Sequence, residues 1–324
     1  MISVLLATHN GADTIERTLA ALSQLDVPAG GWNLILVNNA STDDTESRVL
    51  KWRERLPLTY LVEPRLGKSK AMNTALRHAT GDLIVMTDDD VLPERNWLSE
   101  WRRVADALPG CSVFGGAVVP SFDKTPPPSY VSHRYYGVLY GETHPYSEGA
   151  IEPSPDTGLF HVSGANIAIR KSVHENGNRF DENFLVGSQG LMGEDTEFVR
   201  RLGTSGYKVG FAPSAVVHHI VHPHQTSWRW IHHRLFRNGR AAFMLQHARW
   251  DDAAGKFAYR FPWSRLYPIT GAFFRLLLAG LRGDKKNAFL QSHGLAQNLA
   301  AIRQALNLCR QQKAGLFHGR PDRA

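Results

Sequence analysis

Cysteine is nearly absent from this chain of 324 residues: Cys111 and Cys309 are the only two, far apart and in no ligand-like spacing. That argues against a disulfide framework and a thiolate zinc site, and suits a reducing compartment. Long apolar runs are missing as well. The longest, GAFFRLLLAGL over 271–281, is about half of what a bilayer-spanning helix needs and is interrupted by Arg275. The chain opens on a strand-like run, MISVLLATHN, rather than on a basic segment followed by a long apolar one. No secretory signal is therefore read, and a cytoplasmic location is expected. There is no internal repeat and no low-complexity tract.

Glycine is plentiful, yet two phosphate-binding glycine patterns are lacking. The GKS at 67–69 invites a P-loop reading, but that motif needs a further glycine where Val62 stands. A dinucleotide fingerprint belongs after the first strand, where ATHNGAD supplies one glycine instead of three. The six histidines His218, His219, His222, His224, His232 and His233 match no standard zinc spacing.

Hydrophobic content of 43% and charged content of 21% are ordinary for a globular protein with a sizeable core. The formal net charge is +7, with much of the excess after residue 200 in WRWIHHRLFRNGRA, GKFAYRFPWSR and LRGDKKN. Basic segments rich in Trp, Phe and Leu suit an anionic membrane surface, and a plain solvated face is the competing reading. No recognised nucleic-acid motif accompanies the charge, so no nucleic-acid partner is expected.

The first 120 residues alternate strand and helix. ISVLLAT, NLILVNN, LTYLVE, DLIVMT and SVFGGAVVP read as strands, the first, second and fourth as continuous apolar runs. DTIERTLAALSQL, STDDTESRVLKWRERL, KSKAMNTALRHAT and NWLSEWRRVADAL read as helices. The first of these has Asp13 as expected N-cap and Glu16 as its capping-box partner; the third has Gly81 as expected closing residue. Such alternation implies an α/β fold with a mostly parallel central sheet flanked by helices. Ligands of these sheets sit at the carboxyl ends of strands, and Thr8, Asn38, Asn39, Glu63 and Asp88-Asp89-Asp90 all fall there. A proline-rich loop, PSFDKTPPPSY, follows Pro120, and order returns with GLFHVSGANIAIRKS, the glycine-rich VGSQGLMGEDTEFVRRLG, and the strand-like YKVGFAPSAVVHHIVHP. From Ser227 the chain reads as helical and basic. Three stretches are expected, 1–120, 121–225 and 226–324, the last a helical basic extension.

Three consecutive aspartates at a strand end repel one another, which no stability argument favours. Carboxylate oxygens are hard ligands suited to Mg²⁺ or Mn²⁺, ions that share sites with substrate phosphates. Asp88 and Asp90 are the expected ligands, and one of the histidines, His219, is the candidate to complete the sphere. An acidic turn capping the next helix is the alternative. Lys68 and Lys70, at the positive start of a helix, are candidates for phosphate. Glu194-Asp195 forms the second acidic centre, at the start of an amphipathic helix with Phe198 and Leu202 one turn apart. A carboxylate there is well placed as a general base, with helix capping as the alternative.

Together these motifs resemble the inverting, nucleotide-sugar-dependent glycosyltransferases of family 2, which have the GT-A fold, over residues 2 to about 240. EPRLGKSKAMNTAL is similar to that family's E-x-x-x-G-x-x-x-A-x-N segment, TDDDVLPERNWL to its metal-binding DxD stretch, and FDENF…GEDTEF to its ED motif. The resemblance implies donor contacts at Ala7, Thr8, Asn38, Glu63, Lys68, Lys70, Asp88 and Asp89, with Asp89 beside the ribose or sugar. It implies a divalent ion, Mg²⁺ or Mn²⁺, on Asp88 and Asp90, a catalytic base at Asp195 or its neighbour Glu194, and acceptor contacts from Gly164, Ala165 and Asn166. Arg237 is a further phosphate candidate. Many relatives carry an aspartate where this chain has Asn38, whose amide oxygen can accept the N3–H of uracil; UDP is the expected donor base, with dTDP and GDP open. The acceptor implied is a carbohydrate or lipid-linked hydroxyl of cell-surface assembly. Competing readings are a sugar-nucleotide-forming nucleotidyltransferase, whose Gly-rich loop with Arg and Lys THNGAD does not supply, and a catalytically degenerate sugar-nucleotide binder.

Overall fold

The computed structural model describes residues 1–123, 125–143, 147–153, 159–182, 192–251, 256–259 and 261–313. The glycine-rich stretch 186–191 and the last residues of the basic extension, 314–324, lie outside the described residues. Two compact units are present: Met1–Ser121 with Tyr140–Glu182 and Glu194–Val221, and Phe122–Leu139 with Asn183–Gly193 and His222–Ala324.

The first unit is built on one sheet. Its strands are β1 (Ile2–Thr8), β2 (Trp32–Asn38), β3 (Leu58–Val62), β4 (Leu83–Thr87), β5 (Val91–Pro93), β6 (Val113–Phe122), β7 (Gly149–Ile151), β8 (Asn166–Arg170) and β9 (Val209–Val221). They run in the order β3-β2-β1-β4-β8-β6-β9-β5, with β7 also on β9. The expected parallel pairing holds for β3-β2-β1-β4. Beyond β4 the sheet turns antiparallel, β8 to β4 and to β6, and β5 and β7 to β9. This half carries the short strand β5, too brief for any periodicity to reveal.

Alternation along β1 explains the layers. Ile2, Val4 and Leu6 face one side, where they pack with Ile15, Leu19 and Leu22 of α1 (Ile15–Leu22), Val49 of α2 (Thr45–Leu50) and Trp97, Leu98 and Trp101 of α4 (Trp97–Ala107). Leu5 faces the other, with Ile35, Val37, Ile84 and Met86, against α3 (Lys68–Leu76) and Phe198, Val199 and Leu202 of α7 (Glu194–Thr204). Each such buried aliphatic side chain contributes about 1.5–3 kcal/mol.

Two expected helix ends are corrected. Residue Thr14, not Asp13, sits at the N-cap of α1, and no side chain caps it; Glu16 instead pairs with Arg48 at 2.8 Å. Helix α3 ends at Leu76, and Gly81 serves a different need. A Cβ there would lie 2.5 Å from the backbone nitrogen of Ser3, so the residue is small because the chain passes against β1.

The second unit contains α8 (Trp228–His247), α9 (Tyr267–Leu281) and α10 (Lys285–Lys313), with most of the short α5 (Tyr136–Tyr140); the other short helix, α6 (Lys171–Glu175), follows β8 in the first unit. Ile231 and Leu235 of α8 and Phe289, Ala301 and Ala305 of α10 are buried, and Tyr130, Tyr135 and Trp228 form an aromatic cluster around Phe289 and His232. The extension is not helical throughout: β10 (Ala248–Asp251) and β11 (Lys256–Tyr259) form an antiparallel pair with Trp250 opposite Phe257.

Candidate functional site

Register gathers the polar strand ends. Thr8 pairs with Asn38, Asn38 with Val62, and Leu6 with Thr87, so β1, β2, β3 and β4 finish along one edge. Antiparallel β8 brings its first residue, Asn166, opposite Thr87, which places Gly164 and Ala165 at that same edge. The pairing of Val91 with His219 adds the end of β9.

The three aspartates meet three different partners. Asp88 accepts a hydrogen bond from Lys68 Nζ at 2.5 Å. Asp89 accepts one from Thr8 Oγ1, and its backbone carbonyl accepts Thr18 Oγ1 at 2.9 Å. Asp90 Oδ2 lies 3.2 Å from His219 Nε2. Burial, and then the charge of Asp90, push the Asp89 carboxyl up to about 7 against the pull of the Thr8 hydrogen bond.

Lys68 joins the two acidic centres. Its ammonium is also 3.8 Å from Glu194. Burial acts to lower the pKa of Lys68, but Asp88, Glu194 and Asp195 outweigh it and hold the ammonium charged. Glu194 is buried, which raises its carboxyl, and Lys68 opposes that rise. Asp195 is the more open of the two acids. Its Oδ2 accepts the Gly164 N–H at 2.7 Å and its Oδ1 the Thr196 N–H at 2.8 Å. A Cβ on residue 164 would stand 2.3 Å from Asp195 Oδ2, so only glycine admits the carboxylate here. Lys68, Glu194 and Asp195 line one small cavity with Met72, Thr87 and Gly164.

Several residues expected to touch ligands are occupied internally. Asn166 is wholly buried: its Oδ1 accepts Trp97 Nε1–H at 2.9 Å, and its Nδ2 donates to the carbonyls of Ala117 and Ala215. Its side chain therefore ties α4, β6 and β9 together and faces the core, not an acceptor. Ala165 is buried and its carbonyl accepts Thr87 Oγ1 at 2.8 Å. Glu63 spends both oxygens on Arg65 and Thr74, and hydrogen bonds from Arg65 hold its carboxyl down at about 2. This is a clamp on the β3–α3 turn, not an open donor contact. Asn38 donates to Tyr60 Oη at 2.9 Å, and its Oδ1 accepts the Ser41 N–H, which leaves that oxygen one further lone pair. Ala7 is half-buried against the core, Lys70 is half-buried beside Gly67, and Arg237 belongs to the second unit.

Sequence reasoning placed Asn39 at a strand end but missed that it, and Asn73, hold the edge in shape. Asn39 donates to the carbonyls of Glu63 and Arg65 and accepts the Gly67 N–H at 2.8 Å. Asn73 does the same for the segment before α7, bonding both the N–H and the carbonyl of Phe180. Their signal was present: each is an amide at an element end or within a motif, able to satisfy two backbone groups at once.

The donor set fits a hard divalent ion. It offers carboxylates and one imidazole, and among the described residues no group of three such ligands is assembled. Mg²⁺ and Mn²⁺ are commonly held in this way, by one or two carboxylates with substrate phosphates and water completing the sphere.

The model of the family described as Glycosyl transferase family 2 matches residues 3–177. The chain is 27% identical over 220 residues to the probable glycosyltransferase YdaM of Bacillus subtilis, covering 66% of this chain and 49% of that one. It thus spans about half the length of the first curated relatives it matches. It is 26% identical over 255 residues to the N-acetylglucosaminyl-diphospho-decaprenol L-rhamnosyltransferase of Mycobacterium tuberculosis, covering 68% of this chain and 77% of that one. Among solved structures, the mannosyltransferase PcManGT of Pyrobaculum calidifontis, in complex with GDP-Man and Mn²⁺, superposes with a TM-score of 0.53 at 22% identity, covering 98% of this chain and 87% of that one. That likeness shows the GT-A fold.

Proposed function

The chain belongs to glycosyl transferase family 2, and from that premise we propose that it is an inverting transferase moving a sugar from a nucleoside diphosphate to a hydroxyl acceptor. The observation that carries the reading is Asp195, held by the Gly164 and Thr196 N–H groups and lining the same cavity as Lys68, whose ammonium reaches Asp88. Asp195 is the base because it is the more open acid, while Glu194 is buried beside Lys68. Its carboxylate takes the acceptor hydroxyl proton as that oxygen forms its bond to the anomeric carbon. The bond from that carbon to the diphosphate oxygen breaks with its electron pair on the leaving nucleoside diphosphate, and the configuration inverts. Lys68 supplies a fixed positive charge near the departing diphosphate, with Lys70 at the same helix start.

Asp90 and His219 are the adjacent pair that would hold a divalent ion, with Asp88, here bonded to Lys68, as the further candidate, and such an ion neutralises charge on a leaving diphosphate. The relative with GDP-Man and Mn²⁺ supports both the donor class and the metal. Uracil is the base we propose, its N3–H donating to the remaining lone pair of Asn38 Oδ1, with thymine, which carries the same N3–H, and guanine as alternatives. A lipid-linked acceptor is supported by the name of the diphospho-decaprenol rhamnosyltransferase and by the basic second unit. Asp195→Asn should cut release of nucleoside diphosphate from the donor by at least about a hundredfold. The same variant should keep the thermal stabilisation given by UDP with Mn²⁺; undiminished turnover would refute the assignment, and stabilisation by GDP or dTDP alone would replace the base.

A further inference from the structure

Helix α9 is apolar on both of its sides, and among the described residues only one side has a partner. Ala272 and Ala279 are buried and Ile269 and Leu276 half-buried, a stripe at helical spacing against α10. The opposite stripe, Phe273, Phe274, Leu277, Leu278 and Leu281, is between 49% and 85% exposed, and Trp263 just before the helix is 71% exposed. Residues 273, 274, 277, 278 and 281 follow one another at helical period, so this is a continuous face and not scattered side chains.

Charge around this face has one predominant sign. Arg275, Arg282, Lys285 and Lys286 are exposed in and beyond the helix, with Asp284 as the one acid among them. Arg275 is steadied by donating to Gln291 at 2.8 Å. A second copy of the chain would bring a rim of the same sign, whereas an anionic lipid surface neutralises it. Length separates lying from spanning. Fifteen residues make a helix about 22 Å long, short of the roughly 30 Å of a hydrocarbon core. Among the described residues no helix is long and apolar enough to cross a membrane. A helix with an apolar face, a basic rim and an interfacial tryptophan has the character of one that lies in the headgroup boundary.

We infer that α9 is a membrane-docking helix that seats the second unit on an anionic lipid bilayer, with Phe274 and Leu278 inserted and Arg282, Lys285 and Lys286 on the headgroups. The inference rests on the transferase reading only in giving that enzyme access to a lipid-linked acceptor. Its test uses neither donor nor acceptor, so its failure leaves the transferase reading standing.

The full chain should float with phosphatidylcholine vesicles containing phosphatidylglycerol and bind pure phosphatidylcholine at least about tenfold more weakly. Phe274→Asp with Leu278→Asp should weaken binding to the anionic vesicles on the order of a hundredfold, and Lys285→Glu with Lys286→Glu about tenfold. All four positions are exposed, and circular dichroism and elution volume should match the parent protein. Undiminished binding by the Phe274/Leu278 variant would overturn the proposal, as would binding indifferent to phosphatidylglycerol. A dimer that this variant dissociates, with no vesicle binding by the parent, would overturn it in favour of a second copy.

Discussion

Replacing Gly164 with alanine isolates what positions the proposed base. The backbone at residue 164 is not in the left-handed region, so alanine is strained only by what its methyl group meets. That Cβ would lie 2.3 Å from Asp195 Oδ2, 2.8 Å from its Cβ and 2.9 Å from its Cγ. Non-bonded carbon contacts are comfortable at about 3.5–4.0 Å, so the carboxylate must retreat by roughly 1 Å. The Gly164 N–H···Oδ2 bond of 2.7 Å then stretches beyond hydrogen-bonding range. Misplacing a reacting group by about 1 Å costs on the order of a hundredfold in rate. Stability should change little, since losing one hydrogen bond, about 1 kcal/mol, is set against the reduced chain entropy of alanine, about 0.4–1 kcal/mol. The expected result is therefore a turnover about a hundredfold lower with a thermal midpoint within a few degrees of the parent. A cycle with Asp195→Asn sharpens it: if both changes act through one carboxylate, the double variant is no slower than Asp195→Asn alone. Turnover of Gly164→Ala within threefold of the parent, or additive losses in the cycle, would refute the reasoning.

Asn166→Ala should destabilise the first unit by about 3–5 kcal/mol, because the Trp97 N–H and the Ala117 and Ala215 carbonyls all lose a buried partner. Urea midpoints check it, and a loss below about 1 kcal/mol would return Asn166 to the acceptor side. Glu63, held down at about 2 by Arg65, contributes stability that is complete above its ordinary value near 4.5 and is lost as pH falls from there towards 2. The half-exposed Arg65 limits this to about 1–2 kcal/mol, so urea midpoints of parent and Glu63→Gln should converge between about pH 6 and 3, and a constant gap would contradict the ion pair.

How much was legible follows from the range of the interactions. Strands β1, β2 and β4 announce themselves because a strand buried on both faces must be apolar throughout, and the polar residue that ends each run marks the sheet edge. That Asp88 and Asp90 offer hard oxygen donors is a local property of their side chains, as is the buried face of α1. Asn166 could not be placed by the same means. Whether its amide points to solvent or core depends on β8 lying between β4 and β6, pairings with residues about fifty to eighty positions away. Glu63 was misjudged for a related reason: an acid at a strand end is open only if no cation is folded back onto it, and Arg65, two residues on, is. Strand β5 and the β10–β11 pair are short enough that their partners, not their own sequences, make them strands. The clamp of Asn39 on the β3–α3 turn required knowing that β2 and β3 end side by side.

The repulsion among Asp88, Asp89 and Asp90 is managed by dispersal. Successive residues leaving a strand point to opposite faces, and here the Asp88 carboxylate reaches Lys68 of α3 while that of Asp89 reaches Thr8 at the end of β1. Asp90 is drawn to a third element, His219 of β9. Each carboxylate is thus met by a different group: an ammonium, a hydroxyl, an imidazole. The means differ because the settings differ. Burial, and then the charges of Asp90 and Asp88, raise the Asp89 carboxyl to about 7, with Thr8 and the more distant Lys68 acting against the rise. Asp88 sits beside a full positive charge that also leans toward Glu194, which makes Lys68 the electrostatic link between the strand-end acids and the acids that open α7. The two acidic centres, far apart in the sequence, are therefore one charge network in the folded chain.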